Sequence, residues 1–298
     1  RTAPRDALVA DTVKPEQRGL AFGLHRAADT AGAMLGILIA AFVVWKVQAA
    51  GSSLQESTFR TIVLISIIPA ILAVISLAVM TREKKPEGEA AAPKISFRGL
   101  GKNFMFFMII VGIFDLGNSS DAFLVLRAQE RGMTTLHILL MLAVFNLVYT
   151  LVSTPAGMIS DKIGRKKLII GGWTMYALIY LGFALAQNVT HIWMLYVAYG
   201  LYYGMAYGTA KAMLSDLVPA DLRGTAFGTY NAVLGILDFP ASLIAGLLWS
   251  GAGSWQGFGP SAPFFFGAGL ATIAIVMMLL WKPSIPNAES FEAATEAN

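Results

Sequence analysis

Asp11-Thr12-Val13-Lys14-Pro15-Glu16-Gln17-Arg18-Gly19-Leu20-Ala21-Phe22-Gly23 returns, without a gap, as Asp216-Leu217-Val218-Pro219-Ala220-Asp221-Leu222-Arg223-Gly224-Thr225-Ala226-Phe227-Gly228. The two copies are identical at Asp11/Asp216, Val13/Val218, Arg18/Arg223, Gly19/Gly224, Ala21/Ala226, Phe22/Phe227 and Gly23/Gly228. Such agreement over so short a stretch is hard to obtain by chance. Each copy joins one apolar run to the next, so the chain carries two related units.

The apolar runs around the copies set the class. Of 298 residues, 56% are hydrophobic and only 13% charged, with a mean hydropathy of +0.63. A soluble domain is nearer a quarter charged, so most of this surface is suited to lipid. A helix needs about 20 apolar residues to cross a bilayer, and about eight such runs are expected. They are Gln17–Val44, Arg60–Met80, Asn103–Leu126, Leu136–Ser160, Leu168–Gln187, His191–Leu217, Arg223–Trp249 and Pro263–Trp281. The runs are long and unalternated, which rules out strands. The expected fold is an all-α membrane bundle.

Charge orders the bundle. Arg1, Arg5, Lys14 and Arg18 fall on one side with Arg82, Lys84, Lys85, Lys94, Arg98 and Lys102, and with Lys162, Arg165, Lys166, Lys167, Lys211, Arg223 and Lys282. The other side has Lys46, Arg60, Arg127 and Arg131. The excess marks the cytoplasmic face, giving a multi-pass plasma (inner) membrane protein with a cytoplasmic C-terminus. The net charge of +4 then reflects orientation signals, and no nucleic-acid partner is expected. Absence of Cys removes disulfides and thiolate metal sites.

Residues 1–81 read as the remainder of an N-terminal six-helix half, with Arg1–Ala10 the tail of an earlier helix. Residues 82–102, polar and holding Pro86, Gly88 and Pro93, read as a linker. Residues 103–282 read as a C-terminal half, and 283–298 as a disordered cytoplasmic tail. The first residue is Arg1 rather than Met, as expected of a processed chain or a fragment, and no stretch of the sequence reads as a signal peptide. Stepping back by the repeat offset places the first half's start about 100 residues before Arg1, so about four of twelve spans are expected to be missing.

Between the fourth and fifth runs stands Gly157-Met158-Ile159-Ser160-Asp161-Lys162-Ile163-Gly164-Arg165-Lys166-Lys167. It resembles the G-x-x-x-D-(R/K)-x-G-R-(K/R) loop of the major facilitator superfamily, in the matching place. With the repeat, the linker and the span count, the resemblance covers the chain. Gly157 allows close helix approach and Gly164 a sharp turn. The resemblance implies a conformational latch. Asp161 would cap the span that starts at Gln17–Gly19 in the other half, locking the outward-facing state, and Arg165 would pair with Asp216. Lys162 and Lys166 complete the loop, and Arg18, Gly19, Arg223 and Gly224 belong to its partners. Repeat symmetry matches Asp11 to Asp216, so Asp11 is expected to lack its cation. The plainer reading, that the basic residues only anchor topology, leaves Asp161 and the glycines unexplained.

A carboxylate in mid-bilayer costs about 2.5–3.5 kcal/mol. Asp29 lies about 16 Å along its helix from Arg18, and Asp115 about 18 Å from Asn103, at 1.5 Å per residue. His25, Arg26, Asp29 and Ala33 share a face, as do Asn231, Asp238 and Ser242 on the repeat partner. Asp115, Asn118 and Ser119 line an arc with Asp121 at its edge, and Asn146, Tyr149, Thr150 and Ser153 form another face. Asp29 admits two readings, a structural pair with Arg26 or His25 and a coupling site. Asp115 and Asp238 have no basic neighbour within a turn, which suits a protonatable or ligand-facing role. Asp121 and Arg127 read as rim residues. Tyr196, Tyr199, Tyr203 and Tyr207 form a stripe, either packing or a phenol-lined cavity wall. Gly200, Gly204 and Gly208 beside it suit helix packing.

Gly32-x-x-x-Gly36 keeps half of the G-x-x-x-G-P pattern of the superfamily's drug/proton antiporters, with Ile37 in the proline's place. The expectation is a secondary transporter of small organic solutes working by alternating access, with proton-coupled efflux. The alternatives are an uptake symporter and a non-transporting sensor or assembly protein of the same fold. His25, His137 and His191 are scattered and no catalytic triad, phosphate loop or metal spacing is evident, so neither enzyme chemistry nor a cofactor is expected. The partners implied are the lipid bilayer, a small-molecule substrate and protons, with a monomer at full length.

Overall fold

The computed structural model describes residues 2–47, 54–80 and 100–283. The expected linker and C-terminal tail fall, but for 100–102 and 283, outside them. The described residues form ten α-helices: α1 (Thr2–Thr12), α2 (Arg18–Val47), α3 (Glu56–Met80), α4 (Gly101–Gly117), α5 (Ala122–Glu130), α6 (Thr135–Ile163), α7 (Arg165–Leu185), α8 (Val189–Asp216), α9 (Arg223–Ser250) and α10 (Ala262–Leu280). Seven segments, α4 and α5 counted as one, are long and apolar enough to cross a membrane. α8 is also long, but its tyrosines and glycines dilute its apolar character. That dilution marks it as a helix surrounded by protein.

The third expected span is not one helix. It breaks after Gly117, and Asn118 stands at φ −93° and ψ 74° with its N–H bonded to the Asp115 carbonyl at 2.9 Å. Gly117, Asn118, Ser119 and Ser120 are weak helix formers whose side chains compete for backbone bonds. The apolar average of the run hid this local weakness.

Small residues set the packing, as they must where lipid gives no hydrophobic drive between helices. α2 runs antiparallel along α6. Gly19 meets Gly157, and Gly23 lies against the backbone of Ser153, each so close that a Cβ would collide. Further along, the hydroxyls of Thr30 and Thr150 are 2.8 Å apart. The seam of Gly200 and Gly204 seats α8 on Phe145, Val148 and Val152 of α6. Gly117 and Gly267 bring α4 and α10 together in the same way. An aromatic core fills the centre, with Phe114 stacked on Trp173 at 4.4 Å and Tyr176 on Tyr180 at 4.0 Å. α3 leans on α2 and leaves Ile67, Ile68, Ile71, Leu72 and Val74 exposed.

One cation sits where the sequence did not put it. Arg127 is buried rather than at a rim. Its guanidinium donates to the carbonyls of Phe183 (3.1 Å), Ala184 (3.1 Å) and Ala186 (3.3 Å), and pairs with Glu130 at 2.5 Å. The carbonyls that end α7 have no helical partner, and Arg127 supplies one. Lys211, inside the expected His191–Leu217 run, is buried within α8, with Asp6 of α1 at 2.5 Å. A buried ammonium needs such a partner.

Candidate functional site

At the end of the bundle where α2 begins, α6 ends and α8 ends, charges interlock. α2 opens after a short turn over Pro15–Gln17, and its first N–H groups have no helical acceptor. Asp161, in the last turn of α6, accepts from the backbone N–H of Gly19 and of Leu20, each at 2.9 Å. A carboxylate on the positive end of a helix is worth up to about 2 kcal/mol in partly buried geometry. Gly164 turns the chain at φ +97°, a region open to glycine, and delivers Arg165 into the cluster. Arg165 donates to Asp161, to Ser160 Oγ (3.0 Å), to Asp216 Oδ2 (3.2 Å) and to the Pro15 carbonyl (2.9 Å). Arg18 donates to Asp216 Oδ1 at 2.7 Å and to the Ser215 carbonyl at 3.2 Å.

The repeat reappears here as an exchange. Arg18 of the first copy pairs with Asp216 of the second, and Arg223 of the second pairs with Asp11 of the first. Asp11 is therefore not without a cation, contrary to the expectation. Its expected partner was a loop equivalent to 157–167, whereas the Arg at each helix start reaches the Asp at the end of a helix in the other copy. The two pairs differ in setting. Arg18 and Asp216 are 6% and 14% exposed, while Asp11 is 47% exposed. Gly19 is crowded by α6, but Gly224 has open space around it. Lys166 holds the end of α10 through the Leu279 and Trp281 carbonyls at 3.2 and 2.5 Å, and Lys162 is exposed.

Deeper in the bundle, Arg26 pairs with Asp29 at 2.8 Å and lies 4.2 Å over the Tyr207 ring. The Asn146 amide donates to the Leu142 carbonyl (2.8 Å) and that of Asn231 to Phe227 (2.7 Å), both within their own helices. Tyr149 is buried, its hydroxyl without a hydrogen-bond partner.

The break between α4 and α5 opens into a cavity of about 370 Å³ lined by Asn118, Ser119, Ser120, Asp121, Tyr203, Asp238 and Ser242. Non-helical backbone at membrane depth is tolerated where it lines such a space. Tyr199 donates its hydroxyl to Asp121 at 2.8 Å, and the Ser120 N–H reaches Ser242 Oγ at 3.3 Å. Asn118 and Tyr203 also border a recess of about 50 Å³ walled by Phe114, Trp173, Tyr202, Tyr207 and Tyr230, with Asp115 in its lining. Asp115, Asn118, Asp121, Tyr203 and Asp238 are thus brought together. Asp29, Asn146, Tyr149 and Asn231 line neither space, and Arg26 touches the recess only through Tyr207. Sequence reasoning missed Trp173, Tyr202 and Tyr230 as lining residues, because a buried aromatic reads as core until the hollow beside it is visible. Their only signal was the neighbourhood of the tyrosine stripe.

The family model of the Major Facilitator Superfamily matches the chain over residues 2–237 and again over 103–297. The chain is 34% identical over 285 residues to an uncharacterized MFS-type transporter of Methanocaldococcus jannaschii, covering 94% of this chain and 68% of that protein. It is 24% identical over 153 residues to the quinolone resistance protein NorA of Staphylococcus aureus, covering 51% of this chain and 37% of NorA. Among solved structures, the proton:xylose symporter XylE superposes with a TM-score of 0.69 at 19% identity, over 97% of this chain and 70% of that one. The human organic anion transporter MFSD10 gives 0.62 at 14% identity, over 93% and 67%.

Proposed function

The chain belongs to the Major Facilitator Superfamily, and from that premise we propose that it serves as a secondary transporter of small organic solutes, working by alternating access and exporting them in exchange for protons. The observation that carries this reading is the clamp, in which Asp161 of one helix group holds the start of α2 in the other. The clamp closes one end of the bundle, and the polar cavity lies beyond it, between the α4–α5 break and α9. Closed at the basic end and hollow further along is the arrangement of an outward-facing state, with the basic end in the cytoplasm. α1–α3 and α4–α10 would be the bodies that rock. Asp115 and Asp238 are the proposed proton-coupling groups, since a proton that binds one state better shifts the equilibrium toward it.

Flux in liposomes holding the protein, with a pH gradient of either sign, tests the proposal. Solute accumulation should follow an inside-acidic gradient in inside-out vesicles, and Asp115→Asn should abolish the coupling. Accumulation in the opposite direction would make the protein an uptake symporter. Flux indifferent to the gradient would remove proton coupling, and no flux of any solute would sink the transport reading.

A further inference from the structure

Resting on the transport reading, we infer that the site takes a small hydrophilic organic amine, its ammonium group in the aromatic recess beside Asp115 and its polar body in the adjoining cavity.

The cavity gives the polarity of the solute. Its lining offers the amide of Asn118, the hydroxyls of Ser119, Ser120 and Ser242 and the carboxylates of Asp121 and Asp238, with Tyr203 as its aromatic member. An apolar solute pressed against these groups would strip them of water and return no hydrogen bonds, which is unfavourable. A solute rich in hydroxyl or amino groups replaces that water.

The sign of the charge follows from the same linings. Three carboxylates border the two spaces, and no Lys, Arg or His is among the residues lining either. Arg26, stacked on Tyr207, is already paired with Asp29 at 2.8 Å. An anion would meet uncompensated repulsion here, and a cation attraction.

The recess shows where the cation goes. Asp115 is 8% exposed, and its Oδ2 is buried without a hydrogen-bond partner, as is Oδ1 of Asn118. Both residues line the recess; the Asn118 side chain hydrogen-bonds the Asp115 carboxylate, and each residue still leaves one oxygen without a donor. A primary ammonium brings three N–H donors and a positive charge, satisfying both at once. The walls of Phe114, Trp173, Tyr202, Tyr207 and Tyr230 present the π-systems that attract a cation. About 50 Å³ holds an ammonium head but not a ring, which needs a cavity of about 150 Å³. The bulk of the solute is thereby left in the larger, polar space, reached past Asn118 and Tyr203.

The test is binding to the protein in lipid nanodiscs, read by the fluorescence of Trp173 as the difference between the parent and Trp173→Phe. Ethanolamine and putrescine should each give a saturable change. Glycerol (neutral and polar), lactate (anionic) and tetraphenylphosphonium (cationic and apolar) should give none. Asp115→Asn should weaken the amines at least ~10-fold, the loss of one charge-assisted contact. Asp238→Asn, on the wetter side, should weaken putrescine with no change in thermal midpoint. A response to glycerol, lactate or tetraphenylphosphonium equal to that of the amines, silence to both amines, or full affinity in Asp115→Asn overturns the proposal. Amine binding in this pattern without amine flux through liposomes would keep the cation site and remove the transport reading. Flux of another solute class, untouched by Asp115→Asn, would do the reverse.

Discussion

A methyl group on Gly157 would collide with the carbonyl of Gly19, whereas one on Gly32, in the same helix as Gly19, would meet nothing within 4 Å. The obstacle at Gly157 is backbone, which cannot swing aside as a flexible side chain can. Gly157→Ala should therefore lower stability by about 1–3 kcal/mol, read as a drop in thermal midpoint in detergent. Gly32→Ala should be neutral or stabilising by up to about 1 kcal/mol. A midpoint unchanged by Gly157→Ala would mean that α2 and α6 do not cross there. The exchanged ion pairs give a second contrast. A double-mutant cycle on buried Arg18 and partly buried Asp216 should return a coupling of about 1.5–3 kcal/mol, since their hydrogen bond joins two charged groups largely out of water. The cycle on Arg223 and half-exposed Asp11 should return about 0–1 kcal/mol. Equal couplings would deny that burial separates the two copies.

At the scale of elements, Arg127 ties three helices at one point. It leaves α5, takes the last carbonyls of α7, and meets Ser261 Oγ, just before α10, at 3.2 Å. Arg127→Ala removes a donor from those carbonyls and leaves Glu130 only Arg131 at 3.7 Å, and should cost about 1–3 kcal/mol. Arg127→Lys should not restore it, because one ammonium cannot reproduce a fork that spans several acceptors. Hydrogen exchange at Phe183–Ala186 is the measurement, and protection unchanged in Arg127→Ala would refute the role. The sequence marked Asp115, Asn118, Ser119 and Asp121 as polar positions within an apolar span. It could not mark the break, because helix or loop there depends on whether neighbouring helices and a cavity satisfy the freed backbone groups.

For the whole molecule, the proposed alternating access makes the clamp a contact of one arrangement of the helix groups that would part in the other. Asp161→Asn keeps an oxygen near α2 but removes the charge that favours the helix start. A loss of about 1.4 kcal/mol shifts a two-state balance about tenfold toward opening. This chain has no cysteine, so Ser215→Cys gives a reporter at a residue that is fully buried in the closed clamp. Its labelling by an impermeant maleimide from the basic side should be slow, and about tenfold faster when Asp161→Asn is added. Equal rates would show that Asp161 does not hold this end shut.

The class of fold was legible from the chain alone. Apolar runs of bilayer length can satisfy their backbone only as helices, while the place of the clamp was implied by the resemblance of the 157–167 loop to the superfamily's. What tertiary structure decided was the company each polar group keeps. Asp11 gained Arg223, Lys211 gained Asp6, and Arg127 went inward to a helix end, all through partners far away in sequence. The site was half legible. Asp115, Asn118, Asp121 and Asp238 stood out because a polar group in a membrane span needs a reason. Trp173, Tyr202 and Tyr230 did not, because an aromatic side chain has the same sequence signature whether it fills a core or walls a hollow. The space that separates those two roles is made by other helices.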